Sequence, residues 1–143
     1  MRVRIWVVSA FLLGALTGAA GYVLAREPDS QSAVATQQLL AEAMALEPGK
    51  EVNAQLYTFL PGAVLPWHIH PDAHEIAYVV EGDFTFQIEG EPLKELAAGK
   101  AFYLWPNAVH RGMNKGDKPV KLFVVRIKPK DKPLVVEVPA PPQ

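Results

Sequence analysis

The sequence predicts an all-β domain, a sandwich or barrel built from about nine short strands. Between residues 50 and 138, turn signals containing Gly, Pro, Asn or Asp recur at intervals of about ten residues. The segments between them are rich in β-branched and aromatic residues, and no helix-length periodic run interrupts them. Residues 84–88 alternate apolar and polar side chains, which is the period of a half-buried strand.

The elements follow in order from these signals. Residues 37–46 form a short helix on periodicity alone, and Pro48-Gly49 is a turn that ends this segment. Glu81-Gly82-Asp83 predicts a hairpin turn between the strands on either side of it. The predicted strands span residues 52–60, 65–70, 75–80, 84–88, 93–96, 101–105, 109–113, 120–128 and 134–138.

The first 25 residues are predicted to lie outside this domain. Arg2 and Arg4 precede an uncharged run over residues 5–24, which indicates either a cleaved secretory signal peptide or an uncleaved membrane-anchor helix. Both readings place the domain outside the cytoplasm, in the periplasm or secreted, or anchored to the inner membrane by residues 5–24. Residues 26–36 read as a linker, 37–138 as the domain and 139–143 as a tail.

A group of histidines with one acidic residue carries the functional signal. His68 and His70 are two residues apart in a predicted strand, so their imidazoles face the same side. Glu75 follows a break at Pro71 and returns a carboxylate from the next strand, and His110 is available downstream. Two imidazoles and a carboxylate form a divalent transition-metal site that still needs a ligand.

The spacing of these residues resembles the cupin superfamily. Gly62, His68, His70, Glu75 and Gly82 match the first cupin motif in every fixed position. The second motif is matched in part, by Gly99, Pro106, His110 and Asn114. Ala108 stands where the second glycine is usual, and the two inner gaps differ by one residue each. The resemblance covers roughly residues 50–130.

This resemblance implies a jelly-roll barrel, the double-stranded β-helix, with His68, His70, Glu75 and His110 as ligands of one divalent transition metal. It makes residues 39–43 an edge strand, which leaves helix and strand both open for that segment. Export ranks Mn, Zn or Cu above Fe or Ni, because labile Fe(II) is retained poorly outside the cytoplasm. The resemblance also implies a homodimer.

Aromatic residues beside the ligand strands predict an apolar substrate pocket above the metal. His74 is either solvated or a rim residue of that pocket, since it is expected to point away from the neighbouring Glu75. Arg111 is expected to face away from the metal, and no arginine is assigned to the pocket. The pocket candidates are Trp67, His74, Phe102, Tyr103 and Trp105.

Composition narrows the functional classes. The formal net charge is −1, so nothing points to nucleic acid, and the absence of cysteine excludes thiolate ligands and thiol catalysis. Two functions remain open. One is a metal-dependent enzyme acting on a small organic molecule, dioxygenase-like or an isomerase or lyase, with its catalytic residues unknown. The other is a non-catalytic module that binds a small ligand or a metal.

Overall fold

The computed structural model describes residues 33–142. All the regular secondary structure within that range is β-strand. The predicted signal or anchor segment and most of the predicted linker lie outside the described residues. The described residues include no helix long and apolar enough to cross a membrane. The ten strands are β1 (Val34–Ala43), β2 (Lys50–Phe59), β3 (Val64–Ile69), β4 (His74–Glu81), β5 (Asp83–Ile88), β6 (Lys94–Ala97), β7 (Ala101–Leu104), β8 (His110–Met113), β9 (Val120–Pro129) and β10 (Val136–Glu137).

The strands form two antiparallel five-stranded sheets that pack face to face. One sheet has the order β1-β2-β9-β4-β7 and the other the order β10-β3-β8-β5-β6. Their inner faces enclose an apolar core in which Phe59, Val79, Leu104 and Val120 are fully buried. This is the jelly-roll architecture that the sequence predicts, and each of the nine predicted strands is present with shifted ends.

The segment before the first predicted turn is a strand, so the helix alternative for residues 37–46 is wrong. β1 pairs with β2 from Val34 to Ala43 along the edge of the first sheet. It therefore begins three residues inside the predicted linker. Nine of its ten residues are exposed, which explains why its sequence shows no clear strand alternation.

The predicted hairpin at residues 81–83 is also wrong. β4 and β5 follow one another but belong to different sheets, so Gly82 carries the chain from one sheet to the other. Its φ of +80° is a conformation that favours glycine. A Cβ at this position would lie 2.9 Å from the carbonyl oxygen of Pro119. Glycine is therefore required both by the backbone angle and by the close approach of the neighbouring loop.

The interior of the barrel changes from apolar to polar along β9, and this gradient positions the site. Every second residue of β9 is buried. At one end Val120, Leu122 and Val124 contribute to the apolar core, and at the other end Arg126 and Lys128 point into the same interior. Lys128 is buried and pairs with Glu51 at 3.1 Å. The polar end of the barrel therefore contains the titratable groups.

Candidate metal centre

A β-bulge in β3 determines which of its side chains face the barrel interior. Leu65 lies opposite Gly112 and His68 lies opposite His110, so three steps along β3 match two along β8. The extra residue reverses the inward and outward alternation, and Leu65 and His68 both line the interior as a result. His70 follows just beyond the end of β3 and is also buried.

The three histidines converge on one point. His68, His70 and His110 are buried, and one nitrogen of each lies within 4.8 Å of the corresponding nitrogens of the other two. The ring centroids of His68 and His110 are 4.1 Å apart. The residues that the sequence placed together through two separate motifs therefore do meet, although His110 is some forty positions further along the chain.

Hydrogen bonds to the backbone determine which nitrogens are available to a metal. The Nδ1 atoms of His68, His70 and His110 lie 2.7, 2.6 and 2.8 Å from the carbonyl oxygens of Pro66, Leu134 and Ala108. A carbonyl oxygen can only accept, so each Nδ1 carries a hydrogen, and the Nε2 of each ring is the nitrogen left to face a metal. Metal-binding histidines are oriented in this way. The donor set therefore fits a divalent transition metal.

Burial also keeps the imidazoles in the neutral form that binds metal. Burial, together with the neighbouring His110, lowers the pKa of His68 from 6.5 to about 3. Burial likewise lowers the pKa of His110. A charged imidazolium cannot coordinate a metal ion, so these shifts leave both histidines ready for a metal at neutral pH.

Glu75, the predicted fourth ligand, is buried beside His70, one of the three clustered histidines. Its Oε2 is 2.9 Å from His70 Nε2 and 2.6 Å from Arg126 Nε. Burial raises the pKa of Glu75, but the Arg126 guanidinium and the contact with His70 outweigh burial and hold the pKa well below its ordinary value. Glu75 is therefore a carboxylate engaged in a buried ion pair.

Arg126 is held on all sides by the neighbouring strands. Besides the bond from Nε to Glu75, its Nη1 donates to Gln55 Oε1 at 2.8 Å and to the Tyr57 hydroxyl oxygen at 3.2 Å. The Tyr57 hydroxyl in turn donates to Gln55 Oε1. Arg126 Nε also lies 3.3 Å from Nε2 of His70. A fixed cation therefore adjoins the histidine cluster.

Two cavities adjoin the histidines. The deeper one has a volume of about 30 Å³ and lies among the apolar core side chains, so it has room for roughly one water molecule. The larger one, of about 210 Å³, opens beside His68 and His70. Its walls come from β1, β2, β3, β9 and the C-terminal segment: Thr36, Tyr57, Leu65, Pro66, His68, His70, Arg126, Val135 and Glu137. The larger cavity therefore provides space for a small ligand beside His68 and His70.

The profile of the cupin domain family matches residues 55–126, which is half of the chain. That range includes all three histidines and Arg126. The chain belongs to the cupin family. The resemblance noted in the two histidine motifs is thereby confirmed.

Known proteins that this cupin resembles carry different names and activities. A putative germin-like protein 9-2 from Oryza sativa subsp. japonica is 32% identical over 96 residues, which cover 64% of this chain and 44% of that protein. An oxalate oxidase in complex with the substrate analogue glycolate has 25% identity and a TM-score of 0.59, over 80% of this chain and 61% of the oxidase. The DMSP lyase DddQ from Ruegeria pomeroyi DSS-3 has 22% identity and a TM-score of 0.61, over 79% of this chain and 55% of the lyase. The cupin thus spans about half the length of these relatives.

The predicted pocket residues mostly lie away from both cavities beside the cupin histidines. Phe102 lines the deeper cavity, facing inward from β7. Tyr103, the next residue, is exposed on the outer face, where its hydroxyl shares a hydrogen bond of 2.8 Å with Nδ1 of His74. Trp105 is exposed, and Trp67 stacks on Arg111 at 4.8 Å in an outer groove. Trp67, His74, Tyr103 and Trp105 therefore line neither of these two cavities.

Arg126 is the site residue that the sequence analysis missed. A signal for it exists in β9, where Val120, Leu122 and Val124 alternate with more exposed residues and Arg126 continues the buried series. An arginine that continues the buried positions of an alternating strand is expected inside the barrel, where its charge needs a carboxylate partner. The phase of the strand thus identifies Arg126 as interior, whereas the residue type alone suggests a solvated strand end.

Proposed function

We propose that this cupin is a metal-dependent enzyme that acts on a small organic molecule, with an oxidoreductase as the first candidate. The observation that carries the proposal is the set of three buried imidazoles whose ligand atoms lie within 4.8 Å of one another, each ring oriented by a hydrogen bond that its Nδ1 donates to a backbone carbonyl. Three protein nitrogens leave at least one coordination position for water or substrate. Structural metal sites, by contrast, are fully occupied by protein ligands.

The chain's own residues supply binding and orientation in this proposal. The cavity of about 210 Å³ admits a molecule of a few heavy atoms beside His68 and His70, and Thr36, Tyr57 and Arg126 give its wall polar groups. When bound, the ion supplies Lewis-acid chemistry and a template for the substrate. The likeness to an oxalate oxidase with glycolate bound supports a small carboxylic acid as the substrate class. The DMSP lyase, at 22% identity, supports the fold alone.

For the ion, we propose Mn, Zn or Cu before Fe or Ni. The ligands are imidazoles, which suit all of these metals, so the donor set does not decide between them. The ranking depends on export through residues 1–25, which we propose as a signal peptide or a membrane anchor. A protein that folds outside the cytoplasm takes its ion from the metals present there. Cu and Zn bind such sites more tightly than Fe(II) and so compete strongly for it.

Elemental analysis of the purified protein tests the site. We expect about one transition metal per chain in the wild type and almost none in a His68→Ala, His110→Ala variant, because two of three ligands are lost. His74→Ala is the matched control, since His74 is exposed and outside the cluster. It should retain the metal. A metal-free wild type, or equal metal in all three proteins with each one folded, would refute the proposal.

We also propose a homodimer formed through the outer face of the first sheet. Large apolar side chains on β4, β7 and β9 are exposed there, and Tyr78 pairs with Phe123 while Ile76 pairs with Tyr103. Patches of this kind mark interfaces, and a two-fold axis would bring two copies of the same patch together. The patch comprises Ile76, Tyr78, Val80, Tyr103 and Phe123.

Light scattering after size exclusion checks this assembly. The wild type is expected to have the mass of two chains, and Tyr78→Lys the mass of one, because a charge would be buried at the centre of the patch. Leu46→Lys is the control, since Leu46 is 96% exposed in the turn between β1 and β2 and is not part of the patch. A wild type that elutes as a single chain at high concentration would contradict the dimer.

A further inference from the structure

We propose that residues 134–142, the C-terminal strap, are a positioning element that orients His70 for metal binding and forms one wall of the ligand cavity. This inference rests on the proposed function, because it concerns the same histidine cluster and the same cavity. The strap makes three kinds of contact that carry it. One is a hydrogen bond to the His70 ring, the second is backbone pairing with β3, and the third is the lining of the cavity.

The three histidines differ in where the acceptor for Nδ1 comes from. His68 and His110 each donate to a carbonyl oxygen only two residues earlier in the chain. His70 donates instead to the carbonyl oxygen of Leu134, 64 positions further along, at 2.6 Å. Local chain geometry therefore fixes two of the rings, whereas the third depends on where the strap lies. A metal-binding histidine needs such a partner on its other nitrogen to hold the ring in place.

Backbone pairing holds the strap against β3. The strap residues of β10 lie opposite Ile69 and His68. One residue further on, the amide of Val138 donates to the carbonyl oxygen of Trp67 at 2.9 Å. In an antiparallel pair alternate residues bond to the neighbouring strand, so the amide of Val136 faces β3 in the same way. These two amides are therefore donors that hold the strap to the strand carrying the histidines.

Beyond β10 the strap continues along the outer groove beside β3. Pro141 borders this groove together with Trp67 and Arg111, and it is half-buried there. The groove is a fixed surface, because the Trp67 ring stacks on the Arg111 guanidinium and Gln87 Oε1 accepts two hydrogen bonds from that guanidinium, at 3.0 and 2.7 Å. The strap is therefore placed at both ends, by the groove and by the His70 ring.

Alternate side chains of the strap form a wall of the cavity of about 210 Å³. Val135 and Glu137 line it beside His68 and His70. Val136 lies between them, so it faces the opposite side and is exposed. The segment whose backbone orients His70 thus also bounds the space for a small ligand. The position of the strap determines both the direction of one metal ligand and the room beside it.

NMR of the metal-free protein labelled with ¹⁵N-histidine tests the positioning. An Nδ1 hydrogen held by a carbonyl oxygen gives a downfield proton signal, and His70→Gln assigns the signal of that ring. The variant Val136→Pro, Val138→Pro loses both amides that face β3. We expect it to lose the His70 signal and to keep those of His68 and His110. The matched control, Val136→Ala, Val138→Ala, keeps both amides and should keep all three signals.

Cobalt(II) as a probe ion measures the consequence for the metal site. We expect the proline variant to bind it about 10–100-fold more weakly than the wild type, which is the usual effect of removing a group that orients a metal-binding histidine. The alanine variant should bind it as the wild type does. Both substituted positions alternate with the residues that line the cavity, so neither variant changes the lining itself.

The outcomes separate this inference from the proposed function. A proline variant that keeps the His70 signal, or that binds cobalt as tightly as the wild type, overturns the inference while the metal site stands. A wild type that binds no cobalt refutes the proposed metal site, and the His70 signal alone then decides whether the strap orients the ring. Unchanged signals from His68 and His110 show that the variant is folded. If the double variant does not fold, Val138→Pro against Val138→Ala makes the same comparison.

Discussion

Replacing Arg126 with methionine is expected to lower the free energy of unfolding of the metal-free protein by about 3–5 kcal/mol. The substitution removes the guanidinium that pairs with Glu75, while the carboxylate stays buried. The pKa of Glu75 is held low because Arg126 outweighs the cost of burial. Without the guanidinium the cost of burying Glu75 is offset much less, and the variant must bury either a poorly compensated charge or a newly bound proton. Urea denaturation monitored by circular dichroism measures the change.

A matched control lies on the same strand. Lys121 pairs with Glu81 at 2.7 Å on the outer face of β9, and both side chains are well exposed. Lys121→Met should cost less than about 1 kcal/mol, because solvent screens exposed pairs. The double variant R126M, E75Q should recover part of the loss, since it removes the unpaired carboxylate together with the cation. Equal effects of the Arg126 and Lys121 substitutions would show that the buried pair contributes no more than an exposed one.

Much of the fold follows from local signals in the sequence. The strands from β2 to β10 are found from turn residues and from alternation. The alternation is clearest in β4 and β9, where every second residue is buried along most of the strand. β1 is an edge strand with almost no buried face. Burial therefore imposes no alternation on its sequence, which fits a helix as well as a strand. The choice of sheet is not a local property. The turn at Gly82 is the same in sequence whether the next strand pairs beside β4 or crosses to the other sheet.

Some residues of the site could likewise be predicted from the sequence, and others could not. His68, His70 and His110 are identified by spacing because the two motifs fix their places. The bulge in β3 that turns His68 inward is consistent with Pro66 in that strand. The pocket residues were predicted by type, as aromatic groups near ligands, and type does not determine the direction of a side chain. Arg126 was missed for a related reason. Its role depends on the strand phase and on Gln55, Tyr57 and Glu75, which come from two other strands.

Acid is expected to destabilise the metal-free protein well above the pH at which carboxylates titrate. His68 in the unfolded chain binds a proton below about pH 6.5, whereas the folded protein resists it until about pH 3. The unfolded state therefore binds more protons between these values, and stability falls as the pH falls. At about 1.4 kcal/mol per pH unit, His68 alone removes about 2 kcal/mol between pH 6.5 and pH 5. His110, whose pKa is also lowered, acts in the same direction.

Urea denaturation of the metal-free protein at pH 7.5 and pH 5 measures this loss, and His68→Gln isolates its source. The glutamine does not titrate, so the variant should lose about 2 kcal/mol less than the wild type over the same interval. Glu75 does not confound the comparison, because the pKa of this carboxyl group is lowered from 4.5 and its contribution is lost below that value. Saturating metal should make the loss steeper, since the ion binds neutral imidazoles in the folded state and protons compete for the same nitrogens. A metal-free protein equally stable at both pH values would mean that His68 is not held neutral by burial.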